Sequence, residues 1–126
     1  VVKLLLEKGA NIDIEGGHHG TALQGASTEG HIAIVKLLLE KGANVNIQGG
    51  HYGTALQGAS AGGHIAIVKL LLEKGANVNI QGRHHRTALH EASAGGHVAI
   101  VKQLLEKGAD INVEGGWYWA ALHSAS

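Results

Sequence analysis

The chain contains no cysteine, which excludes disulfide frameworks, Cys-ligated zinc and thiol catalysis. It also lacks proline, phenylalanine and methionine, and its only aromatics are Tyr52, Trp117, Tyr118 and Trp119. Net charge is missing too. Ten Lys+Arg oppose ten Asp+Glu, so no broad field exists to hold nucleic acid or an anionic membrane. No apolar run approaches the ~20 residues that a spanning helix requires. No Asn-x-Ser/Thr acceptor for glycosylation occurs, which fits an intracellular, cytoplasmic protein better than a secreted one.

What is present is repetition. The 126 residues, 20 of them glycine, fit one domain whose apolar content is Ala, Val, Ile and Leu. VVKLLLEKGA opens the chain at Val1, and close relatives start at Ile34, Ile67 and Ile100, 33 residues apart. A companion string, TALQGAS, starts at Thr21 and Thr54, becomes TALHEAS at Thr87 and AALHSAS at Ala120. The expected organisation is one repeat domain over 1–126: a partial repeat 1–30, full repeats 31–63 and 64–96, and a truncated last repeat 97–126. Such a pattern reads as a fragment of a longer array.

Each period has the same grammar. After Gly62-Gly63, Ile65, Val68, Leu71 and Leu72 recur at helical spacing, with Lys69 and Glu73 four apart on a polar face. Gly75 follows where a left-handed cap is wanted. Asn77-Val78-Asn79-Ile80 then alternates polar and apolar, and Gly82 permits a reversal. Thr87 predicts the N-cap of a short second helix packed through Ala88, Leu89 and Ala92. One such unit leaves its apolar face wet, so stacking is required. The small residues Ala55, Ala59 and Ala61 predict close approach of neighbouring short helices.

The 33-residue period, T-A-L-Q/H-x-A and G-H-x-A-I-V-K-x-L-L-E-K-G-A resemble ankyrin repeats over the whole chain. Two departures stand out: Ala22, Ala55, Ala88 and Ala121 replace the usual proline, and Gln24 and Gln57 replace the usual histidine. The finger GGHYGT resembles fungal arrays attached to nucleotide-binding signalling domains. The resemblance implies a mainly α solenoid of helix-turn-helix units linked by β-hairpin or β-turn fingers. It also implies a concave surface, made of fingers and short helices, that grips protein partners. Asn46, Asn79 and Asn112 match the hairpin position that asparaginyl hydroxylases modify in animal ankyrins.

Ten histidines invite a search for chemistry. His31, His64 and His97 recur unvaried before the longer helix and read as scaffold, as do His90 and His123 at the motif's own His position. His18, His19, His51, His84 and His85 fall at finger tips, where no packing rule asks for them. Equivalent residues on stacked repeats lie roughly 8–10 Å apart, too far for two imidazoles to share a zinc ion at ~2.0–2.1 Å. A metal-binding, His-rich finger surface is therefore the weaker alternative, and no metal ligand is assigned. The Ser60/His64 spacing repeats at Ser27/His31 and Ser93/His97, which marks scaffold rather than a unique nucleophile. No catalytic residue and no cofactor are expected. Arg83-His84-His85-Arg86 is the one basic cluster and has no flanking support for nucleic acid.

The repeats themselves show where variation is concentrated. Residues 31–63 and 64–96 differ at five places: Gly50/Arg83, Tyr52/His85, Gly53/Arg86, Gln57/His90 and Gly58/Glu91. All lie in the finger tip or short helix. The following finger carries Trp117, Tyr118 and Trp119. Trp, Tyr and Arg are enriched in binding hot spots. The expected function is a noncatalytic protein–protein interaction module. Its candidate contacts are His18, His19, His51, Tyr52, Arg83, His84, His85, Arg86, His90, Glu91, Trp117, Tyr118 and Trp119. The alternative is a structural spacer without a specific ligand. Uncovered apolar residues at the two ends, Val1, Val2, Leu5 and Leu6 against Leu122 and Ala125, further predict frayed ends or end-to-end self-association that buries them.

Overall fold

A computed structural model describes residues 20–82 and 86–109. They form three helix pairs in chain order: α1 (Ala22–Glu29) with α2 (Ile32–Glu40), α3 (Ala55–Gly62) with α4 (Ile65–Glu73), and α5 (Ala88–Ala94) with α6 (Val98–Glu106). The terminal residues on which end-to-end association rests lie outside this set.

Thr21, Thr54 and Thr87 are the N-caps of α1, α3 and α5, each within a two-way capping box. The second helix of each pair is 9 residues long, scarcely longer than the first at 8, 8 and 7. It stops where glycine permits a left-handed turn: Gly42, Gly75 and Gly108 adopt φ of 89°, 91° and 93°. The next amide then reaches back to a helix carbonyl, as Ala76 N does to Leu71 O at 3.0 Å.

The first helices stack on one another, and the second helices cover them. Leu23, Leu56 and Leu89 come from the first layer, and Val35, Leu38, Val68, Leu71, Val101 and Leu104 from the second; all belong to one buried cluster. Full burial of each such side chain stabilises by roughly 1.5–3 kcal/mol, but only stacked repeats provide it. Ala55 and Ala59 are buried between neighbouring first helices, as their size predicts, whereas Ala61 is only half-buried. Ser27, Ser60 and Ser93 recur at one buried position, and their hydroxyls have no hydrogen-bond partner.

Histidine fastens one pair to the next. His64 Nε2 lies 3.0 Å from Thr28 O, and His97 Nε2 lies 3.2 Å from Ala61 O. The His64 ring occupies the space that a Cβ on Gly30 or Gly62 would need, and His97 does the same for Gly63 and Gly95. These histidines join neighbouring repeats, and Ser60, four residues before His64, is fully buried.

The connection between pairs differs from a hairpin. Among the described residues there is no strand, only an isolated antiparallel bridge, Gly49 to Gly53. Gly49 N donates to Gly53 O at 2.7 Å, and Gly82 N donates to Arg86 O at 2.7 Å. The polar–apolar alternation governs burial instead: Val78 is buried while Asn77 and Asn79 are exposed. The asparagines form a ladder between repeats. Asn46 Nδ2 donates to Gly75 O at 3.2 Å, and Asn46 Oδ1 accepts from Asn77 N at 2.8 Å.

Candidate partner-binding groove

The groove is assembled from the caps upward. Gln57 is 2% exposed, and its Oε1 accepts from Thr54 N at 2.7 Å, which closes the cap of α3. Its Nε2 points the other way and donates to Ile80 O at 3.1 Å and Arg86 O at 2.7 Å, both in the next finger. Gln24 does the same one repeat earlier, donating to Ile47 O, Gly49 O and Gly53 O. A buried amide thus anchors each of the two fingers among the described residues, because a finger with few backbone hydrogen bonds needs further donors for its carbonyls.

His90 occupies the same position in α5. Its Nδ1 accepts from Thr87 N at 2.8 Å, and the residue is 4% exposed. His90 therefore closes the cap of α5 and presents little surface to solvent. Gln57 and His90 are two solutions to one capping requirement.

Two further differences between the repeats also have an internal account. Arg86 Nε contacts Glu91 Oε1 at 2.5 Å, with the Glu91 side chain 10% exposed and that of Arg86 33%. These residues stand where the preceding repeat has Gly53 and Gly58, so cation and anion are introduced together. A nearly buried carboxylate without a cation would be costly.

Beside this pair opens a groove of about 440 Å³, lined by His51, Tyr52, Ala61, Arg86, Glu91, Ala94 and Gly95. Its floor is made of small residues from the ends of α3 and α5. His51 and Tyr52 form its aromatic wall, with ring centroids 4.7 Å apart and planes at 90°. Four of the candidate contacts, His51, Tyr52, Arg86 and Glu91, are thereby brought together. His18, His19, Arg83, His84, His85, Trp117, Tyr118 and Trp119 lie outside the described residues. Ala61, Ala94 and Gly95 are absent from the sequence-based candidates. The signal that could have found Ala61 is its difference from Thr28, visible when the partial repeat 1–30 is set beside 31–63.

A family model described as ankyrin repeats (3 copies) matches residues 1–49 and 48–115. The chain belongs to the ankyrin-repeat family. A comparison with curated proteins finds no match. Ankyrin repeats are generally protein–protein interaction modules and typically not catalytic. Among the described residues of this ankyrin array, no three His, Asp or Glu side chains come together to hold a metal ion. No described helix is long and apolar enough to cross a membrane.

Proposed function

We propose that this ankyrin array is a noncatalytic recognition module that holds a protein partner along its fingers and first helices. The observation that supports this reading is the open groove of about 440 Å³ with a tyrosine–histidine wall and a floor of small residues. Half-buried Tyr52 offers a large, rigid contact at low entropy loss, the kind of residue that dominates interface energetics. His18, His19, Arg83, His84, His85, Trp117, Tyr118 and Trp119, assigned to fingers by the sequence, are the further contacts of this reading. The reading needs no cofactor, nucleic acid or membrane, and it places the module in the cytoplasm, in keeping with the absence of cysteine and glycosylation acceptors.

The test is a photo-cross-linking residue placed at position 52, compared with one at Lys36 on the exposed side of α2, in cells that make the protein. A discrete protein adduct from position 52 and none from position 36 supports the proposal. The reverse pattern would put the binding surface on the opposite side.

A spacer is the second reading. It is favoured by the finding that Arg86, His90 and Glu91 are engaged within the array itself. Absence of adducts from both positions favours it.

A further inference from the structure

Repeats 31–63 and 64–96 have identical apolar residues in their helices, so their apolar cores do not distinguish one stacking order from another. Two matched contacts between first helices do distinguish them. At the first junction, Gly58 of α3 packs directly on Thr28 of α1. A Cβ at position 58 would overlap Thr28 Oγ1 and lie 3.3 Å from Thr28 Cβ. The hydroxyl cannot swing away without loss, because it donates to Gln24 O at 2.8 Å. At the second junction the same two positions are Ala61 and Glu91. Alanine has no γ atoms, so the longer residue fits beside it, and both line one groove. Arg86 then holds the carboxylate.

We infer that positions 28/58 and 61/91 form a stacking key, in which Thr28 accepts only a following repeat with glycine and Ala61 admits one with glutamate. The partner recognised by each first-helix face is thus a repeat of stated kind, whether in this chain or in a second copy. The face ending at Thr28 receives the Gly58 repeat and rejects the Glu91 repeat. Near-identical units are prone to exchange and slipped pairing, and a steric mismatch at one register suppresses it. Arg86 belongs to the key indirectly, since it accompanies Glu91 and neutralises it.

A double-mutant cycle in the full chain tests this, with unfolding followed by chemical denaturation. Ala61→Thr recreates the rejected pairing of threonine with Glu91, and should raise the unfolding constant roughly 5- to 150-fold, the range expected of overpacking. Glu91→Gly in the Ala61→Thr background should recover most of that loss. In the reciprocal cycle, Gly58→Glu should be destabilising and Thr28→Ala should rescue it. If Gly58→Glu does not fold, Gly58→Ala, which adds the Cβ alone, carries the same comparison. Additive effects in both cycles, or wild-type stability for Ala61→Thr and Gly58→Glu alone, would overturn the key. None of these outcomes depends on partner binding, so the key stands or falls separately from the proposed function.

Discussion

Gln57 Nε2 donates to the carbonyl of Arg86, 29 residues further along the chain and in the next finger, at 2.7 Å. The other end of the same amide closes the cap on Thr54. One buried side chain thus sets the start of a helix and the position of the finger that follows. The groove residue Arg86 inherits its backbone position from this contact rather than from a β-ladder.

Replacing Gln57 by alanine would strand Thr54 N and leave Ile80 O and Arg86 O without this donor. We expect a loss of about 2–4 kcal/mol, since buried polar groups left unpaired are costly. Gln57→Glu keeps the acceptor at the cap but removes the donor, and should be nearly as damaging. Gln57→His, the substitution already present at His90, should be tolerated within ~1.5 kcal/mol. Chemical denaturation of the three variants gives the order.

The orphan serines predict the opposite sign. Ser60→Ala removes a fully buried hydroxyl that has no partner and improves helix propensity. It should be neutral or stabilising by up to ~1.5 kcal/mol. A clear fall in the midpoint of denaturation would show that the hydroxyl has a partner after all.

Gly62→Ala would ordinarily help a helix, yet here it should hurt. Its Cβ would lie 2.6 Å from His64 Nε2 and 2.9 Å from the backbone oxygen of Thr28. The expected cost is about 1–3 kcal/mol, as for other overpacked contacts. In the His64→Ala background the ring overlap disappears, so the second substitution should cost less there. Equal cost in both backgrounds would dismiss the ring as the cause.

Arg86 and Glu91 should depend on each other. Arg86→Met leaves the carboxylate, 10% exposed, without its cation and should destabilise by roughly 1–3 kcal/mol, below the range for a fully buried pair because Arg86 itself is partly exposed. Adding Glu91→Gln to Arg86→Met should recover much of the loss. Salt titration of the wild type provides a second check, since a partly buried pair is screened less than a surface one.

For the partner, aromatic truncations should matter most. With an identified partner, Trp117→Ala or Trp119→Ala should weaken affinity by ~2–4 kcal/mol, while Lys36→Ala should leave it nearly unchanged. Calorimetric titration reads both. Loss at Lys36 with tolerance at the tryptophans would reverse the assignment.

The 33-residue period, the threonine caps, the glycine stops and the apolar stripes were legible by eye, because each is a local requirement of the backbone. The candidate surface was only half legible. Comparing repeats correctly marked the finger tip and first helix as the places of change. It could not tell a residue that varies toward a partner from one that varies toward its own neighbour. Tertiary structure supplies the internal neighbours: His90 replaces Gln57 within a buried cap, and Arg86 arrives with Glu91 as an ion pair. The two fingers among the described residues likewise alternate in sequence as strands do, yet they form no strand there and are held by Gln24 and Gln57 from the preceding repeat. The sequence alone determined the repeating unit, since helices, caps and turns depend on residues close together in the chain. What a side chain faces across a junction, Thr28 against Gly58 or Ala61 against Glu91, depends on residues about 30 positions apart. Stacking brings these within contact distance, and only there does size or charge become compatible or not.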